Sequence, residues 1–440
     1  MYHGNSRDLF IRYAIPQMIG LLFNSVYTIV DGVFIGNRLG QEAMAAAAVA
    51  VPLLEILISF ALAVASGAGV LISVQLGAGT QDKARMIFNT AVWILGGSSL
   101  LIAVLGNLFL RPLAEVLGAT PDILAPAMTY LRYIVSFAPF QLFSFLLGSM
   151  VRNDGRPRLA MTAMILGAVT NILLDYVFMY PLNMGIGGAA LATALGPLIS
   201  VLILLPHFLR QHGHLYFMRC RPIGCDIKNI LFNGFPSFIM EFSIGMVTLI
   251  YNIAITHYGY GEIGLAAYLV IGYLMLIILT IFLGLAEGLQ PVFSYFAGVG
   301  AVHRNKALRK LSVKIFLGTG LLCYVMIVLF SAQFFSVFCP GDIELIAFAQ
   351  KKSLAYFSGF FLAGYNILMI SFWQSTGQTQ HALSVSLSRS IVWTPLLTVV
   401  LPLAFGRESI WICQSAGEVL TAGLVLFFLL RAHKEEQQGR

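Results

Sequence analysis

Apolar runs of about twenty residues, each long enough to cross the hydrocarbon core of a bilayer, recur along this chain with only short polar breaks between them. That pattern restricts the fold more than any motif, because backbone exposed to lipid has to hydrogen-bond within its own segment. The runs fall near 9–36, 46–75, 88–110, 124–150, 158–181 and 187–210. After a basic connector from Arg210 to Lys228 they resume near 229–257, 263–295, 312–335, 345–373, 382–404 and 409–431. The spacing predicts an all-α polytopic membrane protein of about twelve transmembrane helices. Composition excludes a soluble enzyme: 58% of residues are hydrophobic and 10% charged, with mean hydropathy +0.85, where soluble domains carry about 25% charged residues.

Net charge is +7, but the basic residues sit in short breaks, so they report topology rather than nucleic acid. The N-terminus and every second break collect 19 of the 26 Lys and Arg, among them Arg7, Arg85, Arg152, Arg156, Arg158, Arg210, Arg219, Arg221, Arg304, Lys310 and Arg440. The opposite breaks hold Arg38, Arg111, Arg132, Lys351, Lys352 and Arg407, and Arg389 lies within a span. Both termini are therefore expected in the cytoplasm, with the protein in the cytoplasmic (inner) cell membrane. No cleaved signal peptide is expected, since the first apolar run is too long for one. The five cysteines, Cys220, Cys225, Cys323, Cys339 and Cys413, have no partner pattern of a zinc site and are read as incidental. No cofactor is expected.

The chain repeats itself. Ala14-Ile15-Pro16 matches Gly234-Phe235-Pro236, and Ser66-Gly67 with Gly77-Ala78-Gly79 matches Glu287-Gly288 with Gly298-Val299-Gly300. Val151-Arg152-Asn153-Asp154-Gly155 matches Trp373-Gln374-Ser375-Thr376-Gly377, at a steady offset of about 220–222 residues. Six spans per half make the repeat parallel, giving two pseudo-symmetric six-helix lobes, 1–218 (spans one to six) and 219–440 (spans seven to twelve). Repeated halves around a polar midplane site are the architecture of alternating-access transporters.

The polar stretch Arg152 to Arg158 opens a segment in which Asn171 and Asp175, one helical turn apart, share a face. Thr193 lies in the next span. A carboxylate in a membrane helix costs roughly 2.5–3.5 kcal/mol on insertion scales, so it is kept where it has partners or lines a cavity. An amide and a hydroxyl supply oxygen ligands, which suit a proton or a hard cation. The alternative is a polar clamp between helices, with Asp31 tied to Thr28 and Thr193 packed among Ala189, Ala190 and Ala192.

Pro16 to Gly36 with Asn24, Asp31 and Gly32, the Gly77-Ala78-Gly79 loop, Arg152 to Pro157, Asn171 to Asp175 and Gly185 to Thr193 together resemble the multidrug and toxic compound extrusion (MATE) family. Glu287 followed by Gly288-Leu289-Gln290-Pro291 resembles its bacterial MepA-like branch. The resemblance spans nearly the whole chain. It implies twelve helices in two lobes around a cleft and export of lipophilic, often cationic drugs or toxic metabolites in exchange for Na+ or H+, by a protein that is usually a monomer. It implies a coupling-cation site at Asp31, Asn171, Asp175 and Thr193, the ligands of Na+ if coupling is to sodium. Pro16 resembles a proline at which the first helix bends in some members. In other members carboxylates of the seventh and tenth spans bind the cation. Here the seventh has Glu241 in a different register and the tenth has none between Leu354 and Trp373, which leaves that type of site unsupported.

Substrate or second-lobe coupling candidates are Glu287, Glu241, Arg389 and Asn24, with Glu418 and Glu55 behind them. Asn24 is equally suited to inter-helix glue. Glu287 either faces the cleft, where it would attract a cationic drug, or pairs with Arg389, which otherwise has no obvious counter-ion. Phe, Tyr, Trp and Met are abundant enough to line a drug cleft, although most serve lipid contact or packing. A flippase for a lipid-linked or other amphipathic precursor is the nearest alternative, and would need several cleft cations for phosphate. An intramembrane hydrolase would need a nucleophile and base or a metal motif. The eight His fall mainly in loops or at helix ends, and HExxH is absent. A receptor or scaffold leaves the spaced carboxylates unexplained.

Overall fold

The computed structural model describes residues 4–218, 224–339 and 341–438, and it is helical almost throughout. Cys220, Arg219, Arg221, Arg440 and His3 lie outside the described residues. Among the described residues ten helices, Ser6–Gly77 being counted as one, are long and apolar enough to cross a membrane, and a bent pair supplies an eleventh. The 72-residue run Ser6–Gly77 is itself two spans, α1 (Ser6–Ala48) and α2 (Val51–Gly77), and separating them gives the expected twelve. The chain is a multi-pass membrane protein.

The remaining helices of the first half are α3 (Gln81–Leu108), a short α4 (Leu110–Val116), α5 (Leu124–Asn153), α6 (Pro157–Met179) and α7 (Gly185–Leu209). The second half contains α8 (Gly224–His257), α9 (Gly261–Val299), α10 (Val302–Phe338), α11 (Ile343–Phe357), α12 (Phe360–Ser375), α13 (Thr379–Leu387), α14 (Trp393–Phe405) and α15 (Cys413–Gln438). Three irregularities escaped the hydropathy pattern. The tenth span is bent by 46° between α11 and α12. The eleventh is interrupted by a π-helical turn at Ser388–Val392, and α15 is preceded by a 3-10 turn at Arg407–Ile412.

Helix α1 keeps helical torsions through Pro16 and leaves them only at Gly40 (φ 82°), a left-handed value that glycine adopts at little steric cost. There the chain folds back, bringing Met44 against Gly36.

Two apolar cores form. One gathers α2, α3, α5 and parts of α1, α6 and α7. The other gathers α8 to α15 and also takes in Leu9, Phe10, Tyr13 and Ala14 from the start of α1. The halves meet along α1 with α9 and α2 with α8, pairings exchanged by the internal two-fold, since α8 and α9 repeat α1 and α2. Contact is closest at the end that carries both termini. A Cβ on Gly234 would lie 1.8 Å from the Ala63 carbonyl oxygen, and one on Gly67 would lie 2.0 Å from that of Ile230. Only glycine permits this backbone-on-backbone approach.

Candidate functional site

Above that seal lies a cavity of about 320 Å3 lined by both halves. Its walls are largely apolar, with Leu21, Ile58, Leu62, Met240, Leu276 and Leu283 among them. Two polar clusters form its floor, and the internal repeat relates them. In the first, Arg152 Nη1 of α5 donates to Gln17 Oε1 of α1 at 2.7 Å. Gln17 Nε2 donates to Glu287 Oε2 of α9 at 2.8 Å, with Arg152 Nη2 3.8 Å from the same oxygen. In the second, Gln374 Nε2 of α12 donates to Ser66 Oγ of α2 and to Ser237 Oγ of α8, each at 3.0 Å. Ser237 donates to Ser66 at 2.9 Å, and Gln290 Nε2 donates to Ser66 at 2.6 Å. Gln374 stands at the repeat position of Arg152, Ser66 at that of Glu287 and Ser237 at that of Gln17. Each lobe thus reaches across with the same helix positions, one trio charged and the other neutral.

The N-lobe carboxylates lie to one side of this cavity. Asn171 and Thr193 line its wall. Asp31 and Asp175 lie behind, close enough to interact electrostatically with each other and with Tyr27 and Tyr130. Asp31 Oδ1, both oxygens of Asp175 and both amide atoms of Asn171 are buried with no hydrogen-bond partner. Burial of unpaired polar atoms costs several kcal/mol, so this cluster is not a self-satisfied clamp. Thr28, the anticipated partner of Asp31, donates instead to the Asn24 carbonyl at 3.0 Å. Thr193 Oγ1 donates to Ala189 O at 3.1 Å and stands within reach of the Asp31 carboxylate. Four of these five atoms are oxygens, three of them carboxylate, a donor set that with Thr193 beside it fits a proton or a small hard cation. Among the described residues no group of three or more His, Cys, Asp or Glu side chains forms a transition-metal cluster.

Both halves of the chain, over residues 16–177 and 236–399, match the MatE family model. The chain belongs to the MatE family. The two matched stretches begin 220 residues apart, the offset of the internal repeat. Over 444 residues the chain is 28% identical to the multidrug export protein MepA of Staphylococcus saprophyticus, covering 98% of this chain and 96% of that one. It is 26% identical over 432 residues to MepA of Staphylococcus aureus strain MRSA252, with coverages of 96% and 93%. A solved outward-facing conformation of a multidrug resistance MATE family transporter of the MOP superfamily has the same fold, with a TM-score of 0.91, 22% identity and coverages of 99% and 98%.

Within the MatE fold, the second-lobe candidates separate. Glu287, Glu241, Glu55 and Asn24 all line the cavity. Arg389 does not. It is buried inside the C-lobe, where its Nε donates to Glu418 Oε1 at 2.8 Å, so its counter-ion is Glu418 and the partner of Glu287 is Arg152. Pattern reading assigned Arg152 to a polar loop as a topology charge, but it is buried together with Asn153 and Asp154. Asp154 accepts from the backbone N–H of His214 at 2.8 Å, and its other oxygen lies 2.8 Å from His207 Nε2, which fastens the inter-lobe connector to the N-lobe. Lys352, also counted as a loop charge, is buried against Glu408, Tyr260 and Phe348. The sequence signal for the Arg152 floor cluster was present: the repeat aligned Arg152 with Gln374 and Glu287 with Ser66. Only the packed lobes show that these positions touch.

Proposed function

We propose that this protein is a cation-coupled secondary antiporter that exports lipophilic, cationic small molecules by alternating access, using Na+ or H+ as the coupling ion. The observation carrying this reading is the set of orphaned carboxylate oxygens, Asp31 Oδ1 and both of Asp175, buried behind the wall of a cavity shared by both lobes. Multidrug export by the MepA relatives supports the substrate class. So do the apolar walls and the acidic side chains of Glu55, Glu241 and Glu287, which attract a cation that apolar surface alone would not select.

Coupling requires each ligand to bind the two conformations with different affinity. Residues 27 to 31 of α1 connect the two sites, since Tyr27 and Thr28 face the cavity and Asp31 faces the buried carboxylate. An ion that draws Asp31 and Asp175 together shifts the wall that the substrate occupies. With both termini in the cytoplasm, the sealed end is cytoplasmic and this conformation is open outward. The protein works as a monomer embedded in the lipid bilayer. A lipid-linked precursor is disfavoured, because Arg152 is the one Lys or Arg among the cavity-lining residues, and it is already engaged by Gln17 and Glu287.

The deciding experiment is efflux of a fluorescent lipophilic cation from proteoliposomes, with a Na+ or a H+ gradient imposed separately. One gradient should drive efflux in the parent, and Asp175→Asn should abolish it. Normal gradient-driven efflux in Asp175→Asn removes that residue from the coupling site. No efflux under either gradient turns attention to amphipathic precursors.

A further inference from the structure

The C-lobe interior contains an ion pair that the transport reading does not use. Arg389 Nε and Nη2 each lie 2.8 Å from Glu418 Oε1. Asn366 Nδ2 donates to Glu418 Oε2 at 2.8 Å, and Gln414 Nε2 approaches Oε1 at 3.4 Å. All four side chains are buried and none lines the cavity. The remaining oxygens of this shell, Asn366 Oδ1 and Gln414 Oε1, are buried and accept no hydrogen bond. Arg389 projects from the π-helical turn Ser388–Val392, which inserts one residue into the span, a distortion frequent at functional positions. A buried ion pair is often no more stable than apolar residues of the same volume, so stability alone does not explain its presence.

The internal repeat places this pair beside the counterpart of the N-lobe cluster. Thr193, Gly196 and Ser200 of α7 repeat as Gln414, Gly417 and Thr421 of α15, and Pro197 as Glu418. Asp31 repeats as Tyr251. With the extra residue of the π turn, Asn171 and Asp175 repeat as Thr394 and Thr398, again one turn apart and buried. The second half has therefore lost both exchange carboxylates and gained, one turn away, a carboxylate permanently joined to a guanidinium.

We propose that Glu418, Asn366 and Gln414 form a cation pocket in the C-lobe and that Arg389 is its tethered cation. The inference rests on reading Asp31 and Asp175 as the exchange site. A guanidinium keeps its proton at any physiological pH and cannot leave its helix. The C-lobe thus carries through the whole cycle the charge that the N-lobe takes up and releases, and ion exchange is confined to one lobe.

The test uses the full-length protein in an Asp175→Asn background, which removes the N-lobe site. Arg389→Ala should make thermal stability rise saturably with millimolar guanidinium chloride, relative to choline chloride at equal ionic strength, and likewise with NaCl. Adding Glu418→Gln should abolish both responses, and the protein with Arg389 intact should show neither. Absence of any Glu418-dependent response in Arg389→Ala overturns the proposal. Should Arg389→Ala not fold, the neutral pair Arg389→Gln with Glu418→Gln, made with Asp175 intact, should still run cation-driven efflux at the parent ion-to-substrate ratio. A changed ratio overturns the proposal equally. The guanidinium response is independent of whether Asp175 drives efflux, so failure of the antiport reading and failure of the tethered-cation reading give different results.

Discussion

Arg152 is buried and Glu287 half-buried, their neighbours leave each as the other's available counter-charge, and Gln17 joins them by a hydrogen bond to each. Removing one member of such a pair leaves an uncompensated charge, at a cost of about 3–5 kcal/mol. Arg152→Ala and Glu287→Gln should therefore each destabilise the sealed conformation, Arg152→Ala by leaving the Glu287 carboxylate and Gln17 Oε1 without their donor and Glu287→Gln by leaving the more buried guanidinium without its counter-charge. Solvent access to a cysteine placed on the floor at position 66 should increase in both variants relative to the parent. Parent-level access in both variants would show that the charged trio does not hold the floor. At this scale the sequence was informative where chemistry follows from spacing: Asn171 and Asp175 are one turn apart on any helix. The local pattern was uninformative about Arg152, although the repeat aligned it with Gln374, because a basic residue at the end of an apolar run looks the same whether it meets lipid headgroups or a carboxylate of the other lobe.

Helices α2 and α8 close the cavity at the end bearing the termini, and they do so through Gly67 and Gly234, whose backbones pack against Ile230 and Ala63. Overpacking a tight contact by one methyl costs about 1–3 kcal/mol, a factor of about 5–150 in a two-state population. Gly234→Ala should shift the protein by that order towards the conformation in which these helices part. Cross-linking between cysteines introduced at positions 63 and 230 should fall accordingly, and unchanged cross-linking would mean that the helices slide without parting. Hydropathy located all twelve spans, with Gly40 in the break between the first two, but not the bend between α11 and α12 or the π turn at Arg389. Each of these changes the backbone path inside a run whose composition remains apolar.

At the scale of the molecule, the asymmetry of Lys and Arg predicts one orientation in the membrane. Cys225 lies at the end holding the termini and is exposed, while Cys339 lies in the turn after α10 at the other end. In single-cysteine proteins a membrane-impermeant maleimide should label Cys339 in intact cells and Cys225 only after permeabilisation. The reverse result would invert the orientation and make the sealed end extracellular. The sequence by itself determined the membrane class, the two-fold repeat and the number of spans, and it put Asn171 and Asp175 on one helix face, because bilayer thickness and helical periodicity act locally along the chain; Asp31 joined them only through the family resemblance. Tertiary structure alone decided which charges meet. Arg152 faces Glu287, Arg389 faces Glu418 and Lys352 faces Glu408, pairings between helices distant in sequence. A buried charge is satisfied by whichever opposite charge the packing brings within a few ångströms, and sequence distance carries no record of that.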